Sequence, residues 1–575
     1  MIRYRIELHD LHAHQYRVIL TVPQPAAAQR LSLPVWIPGS YMVRDFSRHL
    51  SQLQARQGRT PVTLAQVDKT TWQAHCQGRT ALTLSYLVYA FDGSVRGAFL
   101  DAARGFFNPS SLCLRVEGRE GEAHGITLGG LPRGWAVATA MTANGPRSHV
   151  AADYDELLDH PFELGQFWRG AFELVGVPHA FVVSGAWPGF DGERLLSDTR
   201  RLCEAHVAFW HGRRQPEPPF DHYAFLLHAA EDGSSGLEHR ASTALMAARR
   251  DLPRAGSPVA AEGYDNLLGL ISHEYFHTWN VKRLMPRELA QLDYTRENHS
   301  SLLWFFEGFT SYYDELLLLR AGLIDAPRYL GGLAKTLNAV LATPGRQVQS
   351  VAQASFDAWV KYYRSDENTP NATVSYYGKG ALVALALDLS LRRERRGTLD
   401  DVMRHLWRRH RGGPIDEPDI EAALREIGGR SYRRELADWV HGTGELPLPA
   451  LFEAAGVAQG VAPAGFAASL GLRLSEGALS GVQVKAVLAG SAAAAAGVSA
   501  GDELLAVDGW RVRRLDEAQQ WLSRGRPFAL LVVRDQRVLT LEVQPHSPIS
   551  VPSNLGLAAR PTAAAASLRR GWLGV

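Results

Sequence analysis

The period of the hydrophobic residues changes along this chain, and that change constrains its fold more than any other feature. Residues 1–153 carry short runs in which apolar and polar residues alternate, such as YRIELH and TALTLSYLVYAF, separated by Gly, Pro and Asn. Residues 154–452 carry longer runs with helical spacing, such as LLSDTRRLCEAHVAFWHGR. We therefore predict an N-terminal all-β domain followed by a mainly α-helical domain.

A third pattern begins after the helical part. Residues 460–545 predict strands, one short alanine-rich helix and a Gly-Asp-Glu turn, as in VSAGDELLAVDGWRV. Residues 546–575 are rich in Pro, Ala and Ser and predict a loosely ordered tail. A chain of 575 residues is too long for one ordinary core, so several domains are expected on length alone.

The bulk properties exclude some classes of partner. The formal net charge of +2 gives no reason to expect nucleic acid or an anionic membrane. No run of uninterrupted apolar residues is long enough to predict a membrane span. The N-terminal residues lack the apolar run of a secretory signal, and the three cysteines are scattered, so we expect a cytoplasmic protein.

The segment ISHEYFHTWN places two histidines, His273 and His277, four residues apart, with Glu274 directly after the first. On a helix these histidines share one face and can bind one zinc ion, while Glu274 stays free to accept a proton from water. The alternative is a pair of histidines on a solvated helix face. The apolar LLGLIS before the motif argues against it, because buried histidines need a partner.

A third zinc ligand is predicted in the apolar helical segment HSSLLWFFEGFTSYYDELLLL. Glu307 lies in its middle, after three aromatic residues, where an ionised carboxylate is unfavourable unless it binds a metal. The alternative is a solvent-facing Glu307, since Asp314 and Glu315 show that this helix also carries exposed acids. Two histidines and one glutamate around zinc leave a position for water and favour hydrolysis.

Upstream, the strand-like HYAFLLHAAEDGSSGLEHRAST ends at Gly236-Leu237-Glu238-His239. A strand, a glycine and a glutamate, then HExxH and a distant glutamate resemble the order found in zinc aminopeptidases. The segments GLEHR, HEYFHTWNVKRLMP, FEGFTSYY and SYYGKGALVALALD together resemble the glycyl aminopeptidase family, relatives of thermolysin that carry a PDZ domain. WIPGSYMVRDFSRHL, DKTTW and YDELLDHPFELG resemble the N-terminal half of that family.

This resemblance implies a thermolysin-like catalytic domain over 154–452 and an aminopeptidase that favours small N-terminal residues, glycine or alanine. Glu238, with Gly236, is then the site that binds the substrate's free amine, so that only the first peptide bond reaches the metal. Without the resemblance, Glu238 is an ordinary loop carboxylate. Tyr377 lies where related enzymes have a tyrosine that donates a hydrogen bond to the developing oxyanion. Tyr376 competes for this role, because neighbouring helical residues point about 100° apart.

The C-terminal module over 460–545 resembles a PDZ domain. Leu470, Gly471 and Leu472 match a carboxylate-binding loop in part, which implies binding of a C-terminal peptide by strand addition. The alternative is a module that only packs on the catalytic body. Two further hypotheses for the whole chain remain: a zinc endopeptidase of the thermolysin type, and a peptide-binding protein with a vestigial zinc site.

Overall fold

The computed structural model describes residues 1–212, 217–256, 262–477, 479–523 and 525–574. These residues form two compact units. The first comprises residues 1–299 together with the short segments 320–323 and 406–415. The second comprises residues 300–319, 324–405 and the chain from Asp416 onward.

Strands dominate the chain up to Gly165, with two short α-helices among them. The strands are Ile2–Asp10 (β1), Gln15–Val22 (β2), Ala28–Ser32 (β3), Leu50–Gln57 (β4), Thr60–Pro61 (β5), Leu64–Gln66 (β6), Thr71–His75 (β7), Leu82–Tyr89 (β8), Ala98–Leu100 (β9), Arg104–Phe107 (β10), Arg115–Val116 (β11), His124–Gly129 (β12), Ala136–Ala138 (β13), Thr142–Ala143 (β14), Ser148–Ala151 (β15) and Phe162–Gly165 (β16). The helices are Pro109–Leu112 (α1) and Tyr154–Leu158 (α2).

The alternation in the sequence is the alternation of buried and exposed faces in these strands. In β1, Ile2, Tyr4 and Ile6 are buried while Arg3 and Arg5 are exposed. Strand β1 lies in a sheet of order β14-β15-β12-β1-β2-β8-β4-β5, and two further sheets have the orders β13-β16-β10-β9 and β11-β3-β7-β6. Their apolar faces form one core, as expected for a region of β-sheets.

A five-stranded sheet and two long helices complete most of the first unit. They are Trp168–Leu174 (β17), Val177–Ser184 (β18), Gly192–His211 (α3), Tyr223–Ala230 (β19), Ser234–Glu238 (β20), Ser242–Ala248 (β21) and Glu262–Phe276 (α4). The sheet order is β17-β18-β19-β21-β20. The three inner strands are parallel, whereas β20 is antiparallel to β21 and forms one edge of the sheet.

Short strands at Met285–Pro286 (β22) and Pro414–Ile415 (β23) pair in parallel within the first unit. The helices that follow are Leu303–Arg320 (α5), Ala326–Leu341 (α6), Val351–Phe356 (α7), Thr369–Ala372 (α8), Tyr376–Arg393 (α9), Leu399–His410 (α10), Glu417–Gly428 (α11), Arg433–Trp439 (α12) and Leu448–Ala454 (α13). Helices α5 and α9 are buried along most of their length, which explains their nearly continuous apolar sequence.

The C-terminal part returns to β-structure. Its elements are Val457–Val461 (β24), Phe466–Ser469 (α14), Leu472–Gly477 (β25), Gly481–Val487 (β26), Ala492–Ala495 (α15), Glu503–Val507 (β27), Trp510–Arg511 (β28), Phe528–Arg534 (β29), Arg537–Val543 (β30), Ser553–Leu557 (β31) and Ala563–Leu573 (α16). The sheet order is β25-β26-β27-β29-β30, with β28 paired to β27. It encloses a separate small apolar core.

The expectation of a loosely ordered tail over 546–575 is wrong for much of that segment. Strand β31 pairs antiparallel with β24, and the side-chain amide of Asn338 on α6 both donates to and accepts from the backbone of Ser553. Helix α16 buries Trp572, whose Nε1 donates to the hydroxyl of Tyr312 at 3.0 Å. Tertiary contacts therefore order a segment whose composition predicts disorder.

The predicted fold class is confirmed: a β-rich N-terminal region, a central helical region and a β-rich C-terminal module. The helical prediction did not anticipate the five-stranded sheet at the start of the central region. The boundaries near residues 153, 452, 460 and 545 remain predictions. Within the described ranges, no helix is both long and apolar enough to cross a bilayer.

Candidate metal centre and substrate site

The two histidines of the HExxH motif lie at the end of α4. His277 follows the last residue of this helix, and its backbone N–H still donates to the carbonyl of His273 at 3.2 Å, as in a helical turn. The Nε2 atoms of the two rings are 3.0 Å apart. Two donors at about 2.0–2.1 Å from a tetrahedral zinc ion are separated by about 3.3 Å. The pair is therefore spaced as two ligands of one ion require.

The ring of His277 is oriented by the backbone. Its Nδ1 lies 2.8 Å from the carbonyl oxygen of Asn280, to which only a protonated Nδ1 can donate. That contact fixes the tautomer in which Nε2 carries a lone pair. Nε2 is the atom that faces His273, so the local hydrogen bond prepares this nitrogen for metal binding.

Glu307 forms a group with the two histidines that could hold a metal ion. The ligating atoms of His273, His277 and Glu307 all lie within 4.8 Å of one another. Two imidazole nitrogens and one buried carboxylate oxygen are a donor set that suits zinc and leaves a coordination position open. The residues present thus fit a metal ion, and the structure brings together all three ligands predicted from the sequence.

Glu307 owes its position to a close crossing of α5 and α9. A Cβ atom added at Gly308 would lie 2.5 Å from Cα of Gly380, and one added at Gly380 would lie 2.5 Å from the carbonyl oxygen of Trp304. Only glycine permits backbones to approach this closely. The glycines of FEGF and of YYGKG therefore pack the two helices together at the residues that carry Glu307 and Tyr377.

Tyr376 and Tyr377 open α9, whose first turn is capped by the hydroxyl of Ser375. Burial raises the pKa of Tyr377 well above its ordinary value, and the negative charge of Glu307 raises it further. The phenol consequently stays protonated and can donate a hydrogen bond. Tyr376 is fully buried, whereas Tyr377 retains some exposure, which favours Tyr377 as the residue that reaches a substrate.

Glu274 lies against the edge strand of the five-stranded sheet. The carboxylate is buried, and a Cβ atom added at Gly236 on β20 would lie only 1.9 Å from its Oε1. A side chain at position 236 would displace Glu274. Gly236, expected from the family resemblance to bind substrate, therefore also makes room for the catalytic candidate.

Glu238 ends the same strand, and its carboxylate is bordered by a loop from the N-terminal region. Gly39 in WIPGSY has φ +87°, and a Cβ atom there would lie 2.5 Å from Oε1 of Glu238. The left-handed conformation and the close approach both require glycine. Sequence reasoning missed this contribution of Gly39, although Pro-Gly-Ser is a recognisable turn signal.

A charged network next to Glu238 was also missed. Asp159 accepts from Lys282 Nζ at 2.6 Å, lies 3.4 Å from Nδ1 of His239, and accepts from the backbone N–H of Arg240. Burial alone would raise the pKa of Asp159, but Lys282 and His239 outweigh it and hold that pKa well below its usual range. Asp159 lies in YDELLDH and Lys282 lies in WNVKRLMP, and nothing in the spacing of these segments predicts that the two residues meet.

Glu238 lies on the wall of a cavity of about 590 Å³. The cavity combines aromatic and ionisable walls, among them Trp36, Tyr41, Asp159, His239, Lys282 and Tyr294. Its size is in the range of small-molecule sites. Room therefore exists beside the carboxylate that is expected to bind the substrate amine.

The predicted carboxylate-binding loop of the C-terminal module is built into its core. The side chains of Leu470 and Leu472 are buried, and a Cβ atom at Gly471 would meet Ser491. The N–H groups of Leu470 and Gly471 donate to carbonyls of the preceding helical turn. These amides are already hydrogen-bonded, so peptide binding by this loop remains a prediction.

Comparison with known proteins gives matches over much of the chain. The model of the M61 glycyl aminopeptidase matches residues 266–383, that of the peptidase M61 N-terminal domain matches residues 3–166, and that of a PDZ domain matches residues 483–534. No curated protein matches the chain. The crystal structure of an aminopeptidase N family protein from Idiomarina loihiensis is 35% identical, with 100% of both chains covered and a TM-score of 0.94.

More distant structures share only part of the chain. A mutant of the M1 zinc metallopeptidase from Deinococcus radiodurans, solved with a Tyr-Ser-Ala substrate, is 15% identical, covers 78% of this chain and 95% of its own, and has a TM-score of 0.47. The structure of the M1 zinc metallopeptidase from Deinococcus radiodurans without the mutation has a TM-score of 0.46 at the same identity.

Proposed function

Because this chain belongs to the M61 glycyl aminopeptidase family and is therefore a peptidase, we propose that it is a zinc-dependent aminopeptidase that removes small N-terminal residues, glycine and alanine in preference, from peptides. The observation that carries the proposal is the group formed by His273, His277 and Glu307 next to Glu274. The substrate is a peptide with a free N-terminus.

In the proposed mechanism, His273, His277 and Glu307 hold the zinc ion. When bound, zinc supplies a Lewis acid that polarises the scissile carbonyl and acidifies water. Glu274 accepts the proton of the attacking water and delivers it to the leaving amine. Tyr377 donates its phenolic proton in a hydrogen bond to the carbonyl oxygen as that oxygen becomes negative.

Glu238 sets which peptide bond is cleaved. Its carboxylate pairs with the terminal ammonium of the substrate in a charge-assisted hydrogen bond. Gly236, which contacts Glu274, precedes Glu238 by two residues on β20, a span of about 7 Å in a strand. A fixed distance between the proton acceptor and the amine site makes the first peptide bond the reactive one.

Glycyl and alanyl amides, assayed with a chelator and after zinc is returned, test the proposal. We expect hydrolysis that the chelator abolishes and zinc restores. Glu274→Gln should reduce kcat by about 10²- to 10⁴-fold with zinc still bound, because only the proton acceptor is lost. Loss of zinc from this variant would contradict the role given to Glu274.

Paired phenylalanine variants decide between the two tyrosines. Tyr377→Phe should lower kcat by about 10²- to 10³-fold, the usual effect of removing one oxyanion donor. Tyr376→Phe is the matched control, with the same loss of one hydroxyl on the adjacent residue, and should retain most activity. The reverse result would assign the oxyanion role to Tyr376.

The alternative of an endopeptidase is favoured by one observation, the cavity beside Glu238, which offers room beyond the amine site. Peptides with an acetylated amine separate the two functions, because an endopeptidase still cleaves them and an aminopeptidase does not. A peptide-binding protein with a vestigial site predicts no stoichiometric zinc in the purified protein. A C-terminal peptide at the PDZ domain and a cytoplasmic location stay predictions.

A further inference from the structure

The edge strand β20 turns part of its backbone away from the rest of the sheet. The N–H of His239 donates to the carbonyl of Ser242 at 2.9 Å. Because hydrogen-bonded and non-bonded pairs alternate in an antiparallel ladder, Gly236 and Glu238 direct their N–H and C=O groups away from β21. The outward edge of β20 therefore runs between the residue that contacts Glu274 and the candidate amine site.

Arg96 of the N-terminal region binds this outward edge. Its Nη2 donates to the carbonyl oxygen of Gly236 at 3.0 Å, and its Nη1 donates to the hydroxyl of Ser235 at 2.5 Å. A guanidinium group is planar and presents its donors in a fixed fork, so two such bonds to adjacent residues restrain both the position and the tilt of the strand.

The loop that carries Arg96 is itself held rigidly. The buried side chain of Asn108 donates through Nδ2 to the carbonyls of Val95 at 2.8 Å and of Gly97 at 3.3 Å, on either side of Arg96. The backbone N–H of Arg96 donates to the hydroxyl of Ser94. The guanidinium is thus presented from a braced loop rather than from a free surface segment.

We propose that Arg96 is a positioning residue for peptide cleavage, through which the N-terminal β-region fixes the distance between Glu274 and Glu238. Arg96 holds the Gly236 end of β20, and Gly39 borders the Glu238 carboxylate at the other end. The guanidinium of Arg96 donates to Ser235 and Gly236, both on β20, so it acts through the strand. This inference rests on the proposed aminopeptidase function.

Steady-state kinetics of the full-length zinc enzyme test the proposal with three variants: Arg96→Ala, Arg96→Lys and a control, Arg56→Ala. Arg56 is an exposed arginine on β4 of the same region. For a glycyl amide, we expect Arg96→Ala to raise KM at least tenfold with a smaller fall in kcat, because the amine site moves relative to Glu274. The lysine variant keeps one donor and should recover part of the loss, while Arg56→Ala should match the wild type.

A second readout is one that a purely structural role would not change. The ratio of activity on a free-amine peptide to activity on its acetylated form should fall at least fivefold in Arg96→Ala, with zinc content and the pH profile unaltered. Unchanged KM and unchanged ratio in an active enzyme would overturn the inference. If Arg96→Ala does not fold, the same two measurements on Arg96→Lys decide it. An inactive wild type would instead refute the proposed function.

Discussion

The two compact units support their functional residues by different physical means. In the first unit, Glu238 lies on the wall of the cavity that the ion pair of Asp159 and Lys282 also lines, and Glu274 lies against β20. In the second unit, Glu307 lies on a helix that crosses another helix at a glycine contact. The arrangement in the first unit depends on paired charges. The arrangement in the second unit depends on the space between two helix backbones.

This difference has consequences for how each unit responds to change. Charged networks are sensitive to the loss of one partner and to pH, but they tolerate isosteric changes that preserve charge. Close-packed backbones are indifferent to pH but cannot accept one additional methyl group. We therefore expect the first unit to be destabilised by loss of charge at constant volume, and the second unit by added volume at constant charge.

The largest effect is expected from Asp159→Asn, which leaves volume unchanged and removes charge. Lys282 and His239 would lose a buried carboxylate at 2.6 and 3.4 Å, and breaking such a pair reduces the free energy of unfolding by about 3–5 kcal/mol. Denaturant unfolding measures the loss. The control Asp221→Asn breaks a pair with His222 at a carboxylate that is 93% exposed, and should change stability by less than about 1 kcal/mol. Equal losses in unfolding free energy for the two variants would contradict the claim that buried charge stabilises the first unit.

A somewhat smaller loss is expected from Gly308→Ala, which leaves charge unchanged and adds volume. The new Cβ would lie 2.5 Å from Cα of Gly380, and a backbone neighbour cannot rotate away, so unfolding should become easier by about 2–3 kcal/mol. Gly331→Ala on α6 is the matched control, because no atom lies within 4 Å of its added Cβ. That variant should be unchanged or up to about 1 kcal/mol more stable. A stable Gly308→Ala would contradict the packing argument.

Acidification should affect the first unit before the second. Burial lowers the pKa of His206 in the first unit to about 3, below the ordinary value near 6.5. The unfolded chain then binds a proton that the folded state excludes, so stability present above pH 6.5 is lost as pH falls towards 3. At pH 5 this single group contributes a loss of about 2 kcal/mol.

Hydrogen exchange followed by mass spectrometry at pH 7.5 and pH 5, corrected for intrinsic rates, reports each unit separately. His206 lies on α3, and its Nε2 lies 2.9 Å from the hydroxyl of Ser272 on α4. Protection should therefore decrease first around α3 and α4. If protection is lost first in α5 and α9, the second unit rather than the first depends on groups that titrate, and the comparison is wrong.

The sequence predicted the residues that can be recognised from their neighbours along the chain. His273, Glu274 and His277 follow from helical spacing alone, and Glu307 follows from its apolar neighbours. The period of the hydrophobic residues also separated strands from helices, because burial follows that period directly. It did not reveal strand β18, since a short apolar run that is buried on both faces has no period that distinguishes it from a buried helix.

The residues that the sequence did not predict are those that contact each other in the fold but lie far apart along the chain. Asp159 and Lys282 are more than a hundred positions apart, and Arg96 is about as far from Gly236, so no spacing rule brings them together. Gly39 is one of 53 glycines, and only the fold shows that it borders Glu238. The ordered tail was missed for the same reason, because Trp572 stabilises it through contacts with distant helices.

The smallest effect tests a buried polar chain in the second unit, which departs from the apolar character of the helices around it. The indole N–H of Trp572 donates to Tyr312, whose hydroxyl donates to Asp388 at 2.7 Å. Trp572→Phe removes a hydrogen bond and some volume. Trp304→Phe removes similar volume from a buried indole whose Nε1 has no hydrogen-bond partner among the described residues. The difference between the two losses in unfolding free energy should be about 1 kcal/mol, the net value of one hydrogen bond. A difference of several kcal/mol would mean that polar contacts, as well as volume, determine the stability of the second unit.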